Sequence, residues 1–180
     1  MHTILPQAYW EIIALSFFVA LVSTPVWIWF ARRLGAVDQP AGRKIHDRPI
    51  PYLGGFSFHA SFSVALVYVM WRCPFLVENA AWQSKWIILF VGSSLILLLG
   101  IYDDLRGMSP QMKFVVQILV ALLLVAFGFR FERVTNPFGG GIIQLGFWGW
   151  FLSVFWIVAI ANALNLVDGL DGLAAGVVFF

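Results

Sequence analysis

The chain has 180 residues, of which 61% are hydrophobic, 17% aromatic and only 11% charged, with a formal net charge of +2. A soluble domain averages about 45–50% apolar and about 25% charged residues, so this composition excludes an ordinary soluble fold. With so small a charge excess no nucleic-acid partner is expected, and the useful unit of organisation is the bilayer crossing, which needs about 20 mostly apolar residues.

The first apolar stretch, Tyr9–Phe30, has no basic residue before it and is followed by Arg32 and Arg33. That is the reverse of a cleavable signal peptide, so it reads as an uncleaved first helix with its amino end outside. Pro25 is expected to kink this helix rather than end it, because apolar residues continue beyond it. A polar segment follows, Asp38-Gln-Pro-Ala-Gly-Arg-Lys-Ile-His-Asp-Arg-Pro-Ile-Pro-Tyr-Leu-Gly-Gly55, dense in cations, prolines and glycines. Arg43, Lys44, His46 and Arg48 are suited to phosphate oxygens through charge-assisted hydrogen bonds, and Gly54-Gly55 permits a close backbone approach. The competing reading is an ordinary basic loop attracted to anionic lipid, and spacing does not decide between the two.

The second and third apolar stretches are Leu53–Trp71 and Trp86–Ile101. Cys73, the single cysteine, cannot form an internal disulfide and reads as an inert thiol at a membrane edge. The third stretch runs into Gly100-Ile-Tyr-Asp-Asp-Leu-Arg-Gly-Met-Ser-Pro-Gln-Met-Lys113. Adjacent carboxylates at the end of a long apolar helix are costly unless water, a cation or a basic partner meets them, which makes Asp103 and Asp104 candidates for function. On a helix they point about 100° apart, so they are not expected to do the same job. A solvated helix end with Arg106 as local partner is the plainer alternative.

The fourth stretch is Phe114–Phe129, residues 130–146 read as a short external hairpin or loop around Asn136-Pro137 and Gly139-Gly140-Gly141, and the fifth stretch is Phe147–Leu164. Lengths near that of a bilayer crossing favour helices, since a lipid-exposed strand would leave its backbone groups unpaired. The fifth ends in Asn162-Ala-Leu-Asn-Leu-Val-Asp-Gly-Leu-Asp-Gly172. Asn162, Asn165 and Asp168 recur every three residues and present oxygens along one helical stripe, a donor set suited to hard Mg²⁺; interhelical polar glue is the alternative. Residues 172–180 look like the start of a sixth crossing, so a single transmembrane catalytic domain over 1–180, truncated at its carboxyl end, is expected. The fold class is all-α: a polytopic helical bundle with five complete crossings and the start of a sixth.

Orientation follows from the basic residues. Arg32, Arg33, Arg43, Lys44, Arg48, Arg106 and Lys113 fall on one side, against Arg72, Lys85, Arg130 and Arg133 on the other, so the first side is expected to be cytoplasmic. All six aspartates then lie inside and all three glutamates outside. Acidic residues do not set topology, and a cytoplasmic site for a cation and phosphates would account for this sorting.

In order along the chain, Asp-x-Pro-x-x-Arg-Lys-x-His at 38–46, Asp-Asp at 103–104 and Asn-x-x-Asn-x-x-Asp-Gly-x-Asp-Gly at 162–172 resemble the polyprenyl-phosphate N-acetylhexosamine-1-phosphate transferases, glycosyl transferase family 4. The resemblance covers nearly the whole chain and is closest to the branch that uses UDP-N-acetylglucosamine or a related amino sugar to begin O-antigen, other lipopolysaccharide, teichoic acid or similar envelope glycans. The phospho-MurNAc-pentapeptide branch of peptidoglycan synthesis ends its first loop in Thr-Pro-Thr-Met-Gly-Gly, where this chain has Arg48-Pro-Ile-Pro-Tyr-Leu-Gly-Gly55, and it ranks second. Members also carry further crossings, a later catalytic aspartate and a histidine-containing loop, so an inactive fragment is a third reading and a non-enzymatic membrane protein a fourth.

The resemblance implies attack of a polyprenyl-phosphate oxygen, from undecaprenyl phosphate or a similar lipid, on the sugar-linked phosphorus of a UDP-N-acetylamino sugar, with UMP leaving. It implies Mg²⁺, with Mn²⁺ as the alternative, at the cytoplasmic face of a bacterial inner membrane, and it allows a homodimer. Asp103 and Asp104 are the expected catalytic residues and Asn165 the metal contact. Substrate binding would fall to Arg43, Lys44, His46, Asn162, Asp168 and Asp171. The lipid phosphate has a second pKa near about 6 and is already mostly ionised at neutral pH, so a strong general base is not required.

Overall fold

The computed structural model describes residues 4–38, 49–74 and 80–167, and these contain five α-helices and two short two-stranded antiparallel sheets. The helices are α1 (Ile4–Arg33), α2 (Gly54–Arg72), α3 (Ala80–Arg106), α4 (Pro110–Ala126) and α5 (Trp148–Val167). β1 (Val37–Asp38) pairs with β2 (Ile50–Pro51), and β3 (Arg133–Thr135) with β4 (Ile142–Gln144). Each expected apolar stretch is therefore a helix. Four of them, through Gln7–Arg33, Gly54–Arg72, Trp82–Arg106 and Trp148–Asn165, are long and apolar enough to cross a membrane; α4, at 17 residues, is shorter. The expected start of a sixth crossing lies outside the described residues.

The distribution of side-chain size identifies the solvent. Buried positions include the small residues Ala31, Ser57, Ser61, Ala121 and Ser153, while Trp10, Phe58, Trp71 and Phe155 point outward. Phe58 is 75% exposed beside Ser57 at 5%. Water would penalise that arrangement, whereas hydrocarbon favours it: lipid solvates the large apolar side chains, and small ones let helix backbones approach. The chain is an all-α, multi-pass membrane protein.

The described residues form two compact units, divided between Met108 and Ser109. In the first, α1 packs lengthwise on α2, and α2 also meets α3. Pro25 does not end α1, as expected, and in the turn before it Ser23 and Thr24 both return a hydroxyl hydrogen bond to the Ala20 carbonyl. Trp27 of α1 stacks on Phe56 of α2 at 4.2 Å between centroids. At the far end of this helical hairpin Glu11 accepts a hydrogen bond from Tyr68 at 2.7 Å and pairs with Arg72 at 3.2 Å. His59 of α2 reaches Ser94 of α3 at 3.3 Å, a polar tie between two apolar helices.

In the second unit α4 packs on α5. Ser109 caps α4 by accepting from the Met112 amide, and Pro110 occupies its first turn, where a missing N–H costs nothing. The expected hairpin at 130–146 is present. Its strands pair Arg133 with Gln144, Val134 with Ile143 and Thr135 with Ile142, and the Asn136 side chain accepts the Phe138 amide to close the turn. The hairpin is seated on α5 by Ser153, which accepts the Phe131 amide at 2.7 Å and donates to the Gly149 carbonyl at 2.6 Å. Gly149 lies so near the Phe131 carbonyl that any Cβ would overlap it. Gly149→Ala should therefore lower stability by about 1–3 kcal/mol, the usual cost of forcing atoms into a packed contact. A melting temperature in detergent equal to the parent's would refute that close approach.

Candidate functional site

The end of α1 turns back on itself. The Ala36 amide bonds the Ala31 carbonyl at 2.9 Å, and both alanines are buried. This directs the chain into β1, whose pairing with β2 brings Val37 opposite Pro51 and Asp38 opposite Ile50. The two ends of the cationic loop are thus clamped together. Leu53, immediately before α2, has φ 74, the one non-glycine residue in the left-handed region among the described residues. Such strain costs about 1–3 kcal/mol and persists where the surroundings over-determine it. Here Leu53 is buried with Ala31 and Ala36, packed around by Tyr52, Phe56 and Ile101.

Ile101 belongs to α3, and Asp103 and Asp104 follow it in the helix's last turn. One apolar cluster therefore seats both stems of the cationic loop against the helix end that carries the carboxylate pair. The pair is helical, as expected, and its members differ in environment: Asp103 is half-buried and Asp104 exposed. Asp103 also builds the turn that ends α3. Its carbonyl accepts the Gly107 amide at 2.9 Å and its Oδ1 accepts the Met108 amide at 3.0 Å. Gly107, at φ +69, supplies the left-handed step that this turn requires. Carboxylates at a helix carboxyl end lie at the negative pole of the macrodipole, so helix stability does not account for them there.

The second constellation lies on the last turns of α5. Asn162 is half-buried and Asn165 exposed. The Asn162 Nδ2 donates to the Val158 carbonyl at 2.8 Å and to Gln117 Oε1 of α4 at 2.7 Å. Asn162 thus carries the interhelical contact foreseen as the plainer alternative, made through its nitrogen alone. Gln117 was not singled out by sequence. The available signal was its position: after Lys113 it is the one polar residue in a helix of otherwise apolar side chains. Arg43, Lys44, His46, Asp168 and Asp171 lie outside the described residues.

The exposed donors are a carboxylate at Asp104 and an amide at Asn165. Each is by itself a hard oxygen ligand of the kind that Mg²⁺ takes singly while keeping waters and phosphate oxygens, and in that chemistry each fits such an ion. Among the described residues no three His, Cys, Asp or Glu side chains form a group that could hold a metal ion.

Residues 86–180 match the profile of glycosyl transferase family 4. The chain is similar to the Bacillus subtilis (strain 168) protein named "Probable undecaprenyl-phosphate N-acetylglucosaminyl 1-phosphate transferase", 36% identical over 161 residues, 89% of this chain and 42% of that protein. It is 36% identical over 148 residues to the decaprenyl-phosphate N-acetylglucosaminephosphotransferase of Mycobacterium tuberculosis (strain ATCC 25618 / H37Rv), 81% of this chain and 36% of that protein. Against the undecaprenyl-phosphate alpha-N-acetylglucosaminyl 1-phosphate transferase of Escherichia coli (strain K12) the identity is 30% over 158 residues, 85% of this chain and 40% of that protein. The chain thus spans about two fifths of the length of these curated relatives. No solved structure matches it.

Proposed function

Because the chain belongs to glycosyl transferase family 4, whose profile matches just over half of it, we propose that its protein transfers an N-acetylamino-sugar 1-phosphate, GlcNAc-1-phosphate in the first instance, from a UDP-sugar to polyprenyl phosphate. The relatives named for undecaprenyl- and decaprenyl-phosphate N-acetylglucosamine transfer support this choice of sugar and lipid. The reaction would run at the cytoplasmic face of the inner membrane and would begin a cell-envelope glycan. The observation that carries this reading is the apolar cluster of Ala31, Ala36 and Leu53 with Ile101, which joins the base of a phosphate-suited loop to the Asp103–Asp104 helix end.

In the proposed reaction an oxygen of the lipid phosphate forms a bond to the sugar-bearing phosphorus. The bond from that phosphorus to the bridging oxygen breaks, and the electron pair leaves with UMP. Two anions must approach, so charge neutralisation is the first demand. Mg²⁺, or Mn²⁺ in its place, would supply that neutralisation when bound. Asn165 would contact it, and Asp104 would meet it directly or through its waters. Arg43, Lys44 and His46 would bind phosphate oxygens of the incoming substrates, and Asp168 and Asp171 the nucleotide end. Asp103, anchored by the Met108 amide, would hold the turn that presents Asp104 and help to orient the lipid phosphate.

Membranes containing the protein, given polyprenyl phosphate, Mg²⁺ and a panel of UDP-amino sugars, should release UMP only when both substrates are present, and should stop when EDTA is added. Release that ignores the lipid acceptor or survives chelation would overturn the reading.

A further inference from the structure

We propose that Gln117 is a positioning residue for the Asn/Asp stripe, holding the Asn162 amide so that its carbonyl oxygen is presented to a divalent cation; this rests on the transferase reading above. The geometry defines the orientation of both amides. The Val158 carbonyl can only accept a hydrogen bond, so the atom of Asn162 facing it at 2.8 Å must be Nδ2. The Gln117 atom 2.7 Å from that same nitrogen must then be Oε1. With both Nδ2 hydrogens committed, the ring of contacts leaves Asn162 Oδ1 pointing away, and among the described residues nothing donates to it.

Gln117 is buried, at 7% exposure, in a helix whose neighbouring buried residues Val120, Ala121 and Val125 are apolar. An amide in such a place is costly unless its hydrogen bonds are made, so a residue there solely to pack α4 on α5 would be better apolar. An acceptor at 117 gives what an apolar residue cannot: it keeps the Asn162 amide from turning over. Asn162 lies one turn before the exposed Asn165, so a fixed Oδ1 adds a second neutral oxygen to the same face of α5. Neutral amide oxygens favour a loosely held cation that can be shared with phosphates and released with product.

The test uses the protein as the cell makes it, purified in detergent, with Mn²⁺ binding read by electron paramagnetic resonance and UMP release measured alongside. Gln117→Met should raise the Mn²⁺ concentration for half-saturation by about 10–100-fold, the usual loss when a residue supporting a ligand is removed. Gln117→Glu, which keeps an acceptor oxygen, should recover the affinity, and Asn162→Ala should reproduce the loss even where Gln117→Met fails to fold. Unchanged Mn²⁺ saturation in Gln117→Met or Asn162→Ala would overturn the inference, as would a parent that binds no Mn²⁺. Mn²⁺ effects without UMP release would leave the positioning role standing and remove the transferase reading. UMP release with unmoved Mn²⁺ saturation would do the reverse.

Discussion

Replacing either member of the carboxylate pair by its amide, Asp103→Asn or Asp104→Asn, should lower turnover by about 10²–10³-fold, the range seen when one preorganised electrostatic group is lost from an active site. The geometry makes these substitutions informative. Asn at 103 still offers an oxygen to the Met108 amide, so the turn that ends α3 survives and only the charge is removed. Asn at 104 keeps the size and shape of the aspartate, so the described packing is retained. Both variants should therefore accumulate as the parent does, whereas Asp103→Ala, which also loses the turn contact, should be less stable as well as inactive. UMP release at saturating substrates, compared with elution as a single species in detergent, separates the effects. Near-parent turnover in both amide variants would end the catalytic assignment.

The second large effect is expected at Asn165. Its side chain is exposed on the last turns of α5 and takes no part in the Gln117–Asn162 contact, so Asn165→Leu should leave the α4–α5 packing as it is. Loss of a direct cation contact should nevertheless reduce activity by about a hundredfold at limiting Mg²⁺, with partial recovery as Mg²⁺ is raised. Asn165→Asp keeps an oxygen at the position and should retain more activity than the leucine variant. A Mg²⁺ dependence identical to the parent's in Asn165→Leu would show that Asn165 does not meet the metal.

The five helices were legible because crossing a bilayer demands long apolar runs, and that demand is written into composition more strongly than any propensity. Their ends were less so. The third helix begins at Ala80 rather than Trp86 and runs to Arg106, because polar residues outside the hydrocarbon continue a helix without announcing it. The hairpin at 130–146 could be read from its Asn-Pro and triple-glycine turn. The β1–β2 clamp could not: two residues on each side carry no periodic signal, and the pairing spans a loop. At the site, the spacing of Asn162 and Asn165 was visible as one stripe, but the Gln117 partner lies 45 residues away and was hidden among apolar neighbours. Long-range polar pairs such as Gln117–Asn162 or His59–Ser94 leave no local trace, because each member looks like an isolated polar residue on its own helix.

Glu11, Tyr68 and Arg72 bear on how the chain enters the membrane as well as on how it is held afterwards. Their end of the α1–α2 hairpin is remote from the cationic loop, so in the proposed orientation, with that loop cytoplasmic, both charges would be carried through the hydrocarbon during biogenesis. Entering singly, α1 would bring a carboxylate and α2 a guanidinium, each an expensive passenger in lipid. Entering together, they present a neutral, hydrogen-bonded cap, with the tyrosine hydroxyl supplying a further donor to the carboxylate. In that orientation the barrier to insertion would be lower for the pair than for either helix alone, and the hairpin would be the natural unit of entry.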